Sequence, residues 1–241
     1  MRSDARYADS AARPHGRPWS LVVVLDALIT LIVMALISWL LSIVLEWLGM
    51  ALGWWSLPGA AHSEHLLNTE LAWLGQDFLA AAETTRPVRW AEQGAALWYH
   101  YSGMGALLEW VATPQTMPLL ETWRLQMLAL SEYLLAAGFI TQLIGARLAV
   151  VVLSVPVYAL AACVGLIDGL VQRDLRRFGG GAESGFTYHH LKKILGPLIW
   201  VPVLVYLATP WPLHPTMVFV PPALLFGWLI AKTAARFKKY L

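Results

Sequence analysis

The residue types best able to do chemistry crowd into one run, Gly165–Lys193, which reads G-L-I-D-G-L-V-Q-R-D-L-R-R-F-G-G-G-A-E-S-G-F-T-Y-H-H-L-K-K. Phosphate binding, metal binding and docking to an anionic surface are the chemistries to weigh. The triple glycine Gly179, Gly180 and Gly181 lacks the spacing and the lysine of a phosphate loop, G-x-x-x-x-G-K-[ST], and reads as a turn flanked by Phe178 and Phe186. Adjacent helical residues point about 100° apart, so His189 and His190 do not share one metal ion unaided. The H-E-x-x-H pattern of a membrane metalloprotease is absent. Five cations remain: Arg173, Arg176, Arg177, Lys192 and Lys193. They suit anionic lipid headgroups, at ~1 kcal/mol per charge near the surface, or an acidic surface of a partner protein. Without interleaved aromatics they are a poor match for nucleic acid. With Asp174, Phe178, the three glycines, Glu183, His189 and His190, they form the candidate docking surface.

Other candidates are sparser. His62 and His65 lie three apart beside Glu64, a weak zinc pair lacking a third ligand nearby. Asp26 and Asp168 interrupt apolar runs. Carboxylates in hydrocarbon are costly and normally paired, so Arg173, Lys192, Lys193 or backbone donors are their expected partners rather than a proton relay. Cys163 is the single cysteine, which excludes an intrachain disulfide. No nucleophile and base stand in a catalytic arrangement. The chain therefore reads as a non-enzyme, with no cofactor and no metal expected.

The elements that must position these residues are membrane helices. The 241 residues are 58% hydrophobic and 13% charged, with a mean hydropathy of +0.58, the composition of an integral membrane protein. Four spans are expected: Leu21–Leu45, Tyr133–Val171, Ile194–Leu207 and Met217–Ala231, the last two forming a hairpin. The first apolar run is about 25 residues, too long for a cleaved signal core. Seven of the 14 prolines lie between Pro197 and Pro222, so this hairpin should be kinked. On the second span Ala161, Gly165 and Gly169 make a small-residue stripe that lets another helix approach closely, in this chain or in a partner.

Charge sets the orientation. Residues 1–20 hold four Lys or Arg, residues 173–193 hold five and residues 232–239 hold four. Residues 46–132 hold only Arg86, Arg89 and Arg124 against nine Asp and Glu. Cytoplasmic loops collect cations, so both termini and the connector belong inside and residues 46–132 outside. The expected order is a cytoplasmic tail (1–20), a span (21–45), a periplasmic segment (46–132), a span with a periplasmic extension (133–171), a basic connector (172–193), a hairpin (194–231) and a basic tail (232–241).

Within the outer segment, Leu67, Leu71, Leu74 and Phe78 recur at helical spacing, with Ser63 placed as a cap. Thr85-Arg86-Pro87 marks a second helix start, with Val88, Ala91, Ala95 and Trp98 on one face. A third periodic stretch begins at Pro118 and runs without a break into the second span, where Pro156 should bend it. Eight of the 13 tryptophans lie between Trp47 and Trp123, which predicts helices lying along the outer leaflet rather than a unit with its own core.

The Gly165–Lys193 run, with its arginines, glycines and paired histidines, resembles the integrating conjugative element membrane protein family. The likeness extends over most of the chain, from the polar N-terminus through the tryptophan-rich segment to the two late spans. The resemblance implies a bacterial inner-membrane protein of a conjugative DNA-transfer apparatus. It also implies neighbours that include a coupling-protein ATPase and type IV secretion components, and it carries over no catalytic residue. The expected role is a non-enzymatic scaffold or adaptor, able to self-associate, that meets such a partner through the connector. A channel subunit using Asp26 and the proline-rich hairpin, or an envelope enzyme using His189, His190 and Asp168, are the alternatives.

Overall fold

A computed structural model describes residues 19–82, 85–178 and 185–236. Among these residues there are eight helices and no strand: α1 (Trp19–Leu52), α2 (Ala61–Ala82), α3 (Arg86–Tyr101), α4 (Met104–Ala112), α5 (Pro118–Leu128), α6 (Ser131–Phe178), α7 (Gly185–Ala208) and α8 (Pro215–Ala235). The other helices pack on α6. At 48 residues α6 is about 72 Å long, more than twice the ~30 Å hydrocarbon thickness of a bilayer.

The surroundings of α6 change midway. Its first half buries Leu134, Ala136, Ala137, Ile140, Leu143, Ile144, Ala146, Val150 and Val151. Beyond Val151 the helix carries Val152, Val155, Leu160, Val164, Ile167 and Leu175, each 54–67% exposed. An apolar stripe left bare in this way is lipid-facing in character. The helix stays continuous through Pro156.

The first half is clothed by a cap of α2, α3, α4 and α5. Leu66, Leu67, Leu74, Ala91, Ala95 and Val111 are all buried. Residues between α1 and α6 share a core whose centre α6 supplies. Close approach is possible because Gly94 on α3 meets Gly145 on α6, where a Cβ on Gly94 would stand 2.5 Å from the Gly145 carbonyl oxygen. The predicted apolar face of α3 is the one that packs, with Pro87, Ala91 and Ala95 buried.

Two boundaries differ from expectation. Ser63 lies inside α2, and its hydroxyl donates to the Ala60 carbonyl (2.9 Å) instead of capping the helix. The stretch from Pro118 is also not continuous with α6. The ladder tightens at Leu130 N–H to Met127 carbonyl and restarts with Leu134 N–H to Leu130 carbonyl. Neither Ala129 nor Leu130 signals a break. Tertiary bonds hold the chain here: the Trp47 indole donates to the Tyr133 carbonyl (2.8 Å), and the Ala60 amide donates to Glu132 (3.1 Å). Gly59, at φ +57°, lets Ala60 approach that carboxylate.

Helix directions follow from the pairings. The Trp39 indole donates to Thr141 (2.9 Å), and with Trp47 on Tyr133 this sets α1 antiparallel to α6. The Tyr158 hydroxyl on the Leu198 carbonyl (3.2 Å) and Arg147 on Leu207 (3.4 Å) set α7 antiparallel to α6. Gly165 and Gly169 lie against Gly227 and Ala231, so α8 runs parallel to α6. Three helices are long and apolar enough to cross a membrane: Val22–Leu52, Ser131–Leu175 and Pro215–Ala235. Ile194–Ala208 of α7 is a shorter apolar stretch among the described residues. Helix α7 runs antiparallel to both α6 and α8.

Glu121 and Arg124 close the turn between α4 and α5. Glu121 accepts from Arg124 Nε (2.8 Å) and Nη2 (2.6 Å) and from the Gln115 amide (2.8 Å), while Arg124 Nη1 donates to the Val111 carbonyl (3.1 Å). The Arg124 bond, followed by the Gln115 amide bond, holds the Glu121 carboxyl at about 2, below its ordinary 4.5. A carboxyl depressed by folding stabilises the fold above its unfolded value, and that stabilisation disappears as pH falls toward the folded value. Unfolding of the cap in mild detergent should therefore become easier between pH 4.5 and about 2. Glu121→Gln should remove this component of the pH dependence, and an unchanged acid profile would count against the pair.

Candidate functional site

The best-built polar cluster centres on Arg147, in the first half of α6, which is fully buried at 0% exposure. Its Nε donates to both Glu70 carboxylate oxygens (3.2 and 3.0 Å), and its Nη2 donates to Oε1 (2.5 Å). Glu70, on α2, is itself buried. The remaining guanidinium hydrogens reach the carbonyls of Thr209 (2.7 Å) and Trp211 (3.1 Å), just past the end of α7. The Leu213 amide donates back to Glu70 (3.4 Å), and the guanidinium sits 5.3 Å from the Tyr206 ring centre. One cation thus answers a carboxylate from the cap and the orphan carbonyls at a helix end. It locks α2, α6 and the α7–α8 turn together.

A second cluster joins α1 to α2. Glu46, fully buried, meets His62 Nδ1 with both oxygens at 3.0 Å. Trp55 stacks on His62 with centroids 4.1 Å apart and donates its indole N–H to the Glu46 carbonyl (3.2 Å). His65 instead faces Thr69 within its own helix. Among the described residues, no three His, Cys, Asp or Glu side chains converge as a metal site would require.

The stripe Ala161, Gly165 and Gly169 lies against α8. A Cβ on Gly165 would collide with the Gly227 carbonyl, and one on Gly169 would collide with that of Ala231. Ala161 in turn blocks a side chain at position 227, with its carbonyl oxygen 2.7 Å from a Cβ built there. Alongside this seam runs an apolar groove of about 370 Å³, with Leu160, Val164, Leu224 and Trp228 on its walls and Asp168 at one end.

Of the predicted connector, only the α6 side is open to description. Asp168 is exposed and accepts from Gln172 (2.6 Å). Arg173 lies 3.6 Å from Asp174, which is 57% exposed at the side chain. Arg176, Arg177 and Phe178 form the last turn of α6, and His189, His190, Lys192 and Lys193 occupy the first turns of α7. Their side chains lie outside the described residues, as do Gly179, Gly180, Gly181 and Glu183 altogether. Asp26 is exposed on α1, without a hydrogen bond or ion pair among the described residues, so the expected pairing with Arg173 is not formed.

Arg147, Glu70 and Glu46 were not among the residues the sequence singled out. Arg147 had a signal: it is the one basic residue inside the apolar run from Tyr133 to Val171, where an ionisable residue must have a partner. Arg147→Met should cost about 3–5 kcal/mol, because it leaves Glu70 buried and unpaired. The double variant Arg147→Met/Glu70→Met should cost clearly less than the two single changes added. Denaturant titration of all three in mild detergent reads this, and strict additivity would refute the coupling.

No curated protein and no solved structure matches the chain. A family model does match, over residues 54–238, which include the whole cap, α6, α7 and α8. Its description is IncC plasmid conjugative DNA transfer protein DtrJ-like. It supports the process that the sequence resemblance implied, while placement in an integrating element rests on that resemblance alone. With more than half of its length matched, the chain belongs to the DtrJ-like family of conjugative DNA transfer proteins.

Proposed function

We propose that this protein is a non-enzymatic inner-membrane scaffold or adaptor of a conjugative DNA-transfer apparatus, with both termini cytoplasmic and the cap periplasmic. The single observation that carries this reading is α6. One unbroken helix leads from a cap locked by Arg147, through a bare apolar half, to the basic turn at Arg173, Arg176 and Arg177. A rigid helix of this length can hold a partner on one face of the membrane in register with one on the other. The antiparallel order of α1, α6, α7 and α8 supports four crossings, with the polar first turns of α7 at the cytoplasmic surface.

The docking surface in this reading is the connector, Asp168 to Lys193. Its partner is an acidic face of a coupling-protein ATPase or another type IV secretion subunit, with anionic headgroups beside it. The basic residues there stand at a helix end, where a cation also complements the partial negative charge of the last carbonyls.

Changing Arg173, Arg176 and Arg177 together to Ala should lower mating transfer from donor cells at least 100-fold while the protein still fractionates with the membrane. Co-purification of the coupling-protein ATPase in mild detergent should fall in parallel. Normal transfer by the triple variant would refute docking through this turn.

A further inference from the structure

Asp26 stands on the most exposed part of α1. From Val22 to Val33 the helix has no buried residue, and Val22, Val23, Leu25, Ile29 and Val33 are 47–61% exposed. Leu31 is the first residue of α1 to pack against the core, Ala35 is the first fully buried position, and Ser38, Ser42, Ile43 and Glu46 follow it. The less exposed positions Ala27, Thr30, Leu31 and Met34 mark the bundle-facing side. Asp26 precedes Ala27 by one residue, so it points about 100° away from that side. It lies about 10 Å along the axis from Trp19, inside the apolar run.

An ionisable side chain in hydrocarbon is retained where something pairs with it. Among the described residues Asp26 has neither a hydrogen bond nor an ion pair. We infer that the first half of α1 docks a transmembrane helix of another protein through an intramembrane ion pair between Asp26 and a Lys or Arg of that helix. The proposal rests on the reading that α1 crosses the membrane. A second copy of this chain is the poorer occupant, since it would set a carboxylate against a carboxylate at the same depth. A cation on the partner satisfies the charge, while the bare valines, leucines and isoleucines supply the packing surface.

The probe is a synthetic leucine-rich transmembrane peptide with one arginine about 10 Å from its cytoplasmic end. Its control carries leucine at that place. Energy transfer between labelled full-length protein and labelled peptide in phosphatidylcholine vesicles reads association. The arginine peptide should bind at least ten-fold more tightly than its control, and Asp26→Leu should abolish the preference. Equal binding of both peptides would overturn the ion pair. So would strong association of the protein with itself that Asp26→Leu removes, which would identify a second copy as the occupant. Ala27→Cys in a Cys163→Ala background separates the two levels of failure. A thiol that reacts with a membrane-impermeant maleimide would remove the membrane placement of α1, and the proposal with it. A protected thiol without arginine preference would overturn the pairing alone.

Discussion

A fully buried guanidinium needs its N–H groups answered, and the architecture here depends on how Arg147 meets that requirement. Its bonds run to a carboxylate from α2 and to carbonyls beyond α7, so the cap and the hairpin are fixed to the same turn of α6. A salt bridge of this kind is not a strong net source of stability, because desolvating both charges offsets most of the attraction. Its value lies in specificity. A slipped register of α2 or of the 209–213 turn would leave a buried charge unpaired, which is far costlier than losing a surface contact.

Around that fixed point the packing is made by small residues. Gly94 against Gly145 brings α3 onto the upper half of α6, and Gly165 and Gly169 bring α8 onto the lower half. The two seams solve different problems. In the cap, close approach buries Ala91 and Ala95 and draws on the hydrophobic effect. Along the bare half Gly165 and Gly169 set backbone against backbone with Gly227 and Ala231, and in a bilayer dispersion across such a contact takes the place of the hydrophobic drive. The result is one continuous helix that carries the cap along its first half and α8 along its second.

Much of this was legible in the residues. Composition alone indicates membrane helices, the period of Val88, Ala91 and Ala95 marks the packed face of α3, and the spacing of Ala161, Gly165 and Gly169 marks a close helix contact. The cap core was not legible, because half of it is contributed by α6, whose apolar first half reads as membrane span. The break between α5 and α6 has no glycine or proline at Ala129 or Leu130 and is set by distant partners of Glu132 and Tyr133. Arg147 was visible as an anomaly, but its partner Glu70 stands 77 positions away and could not be paired with it by spacing.

The most direct measurement is two-sided thiol accessibility on a Cys163→Ala background, with one cysteine at Leu119 on α5 and, separately, one at Asp174 near the end of α6. Leu119 is 71% exposed and the Asp174 side chain 57% exposed, so both sites are open to reagent. A strut that crosses the membrane predicts that an impermeant maleimide labels Leu119→Cys from the periplasmic face only and Asp174→Cys from the cytoplasmic face only. Labelling of both positions from the same face would overturn the transmembrane adaptor.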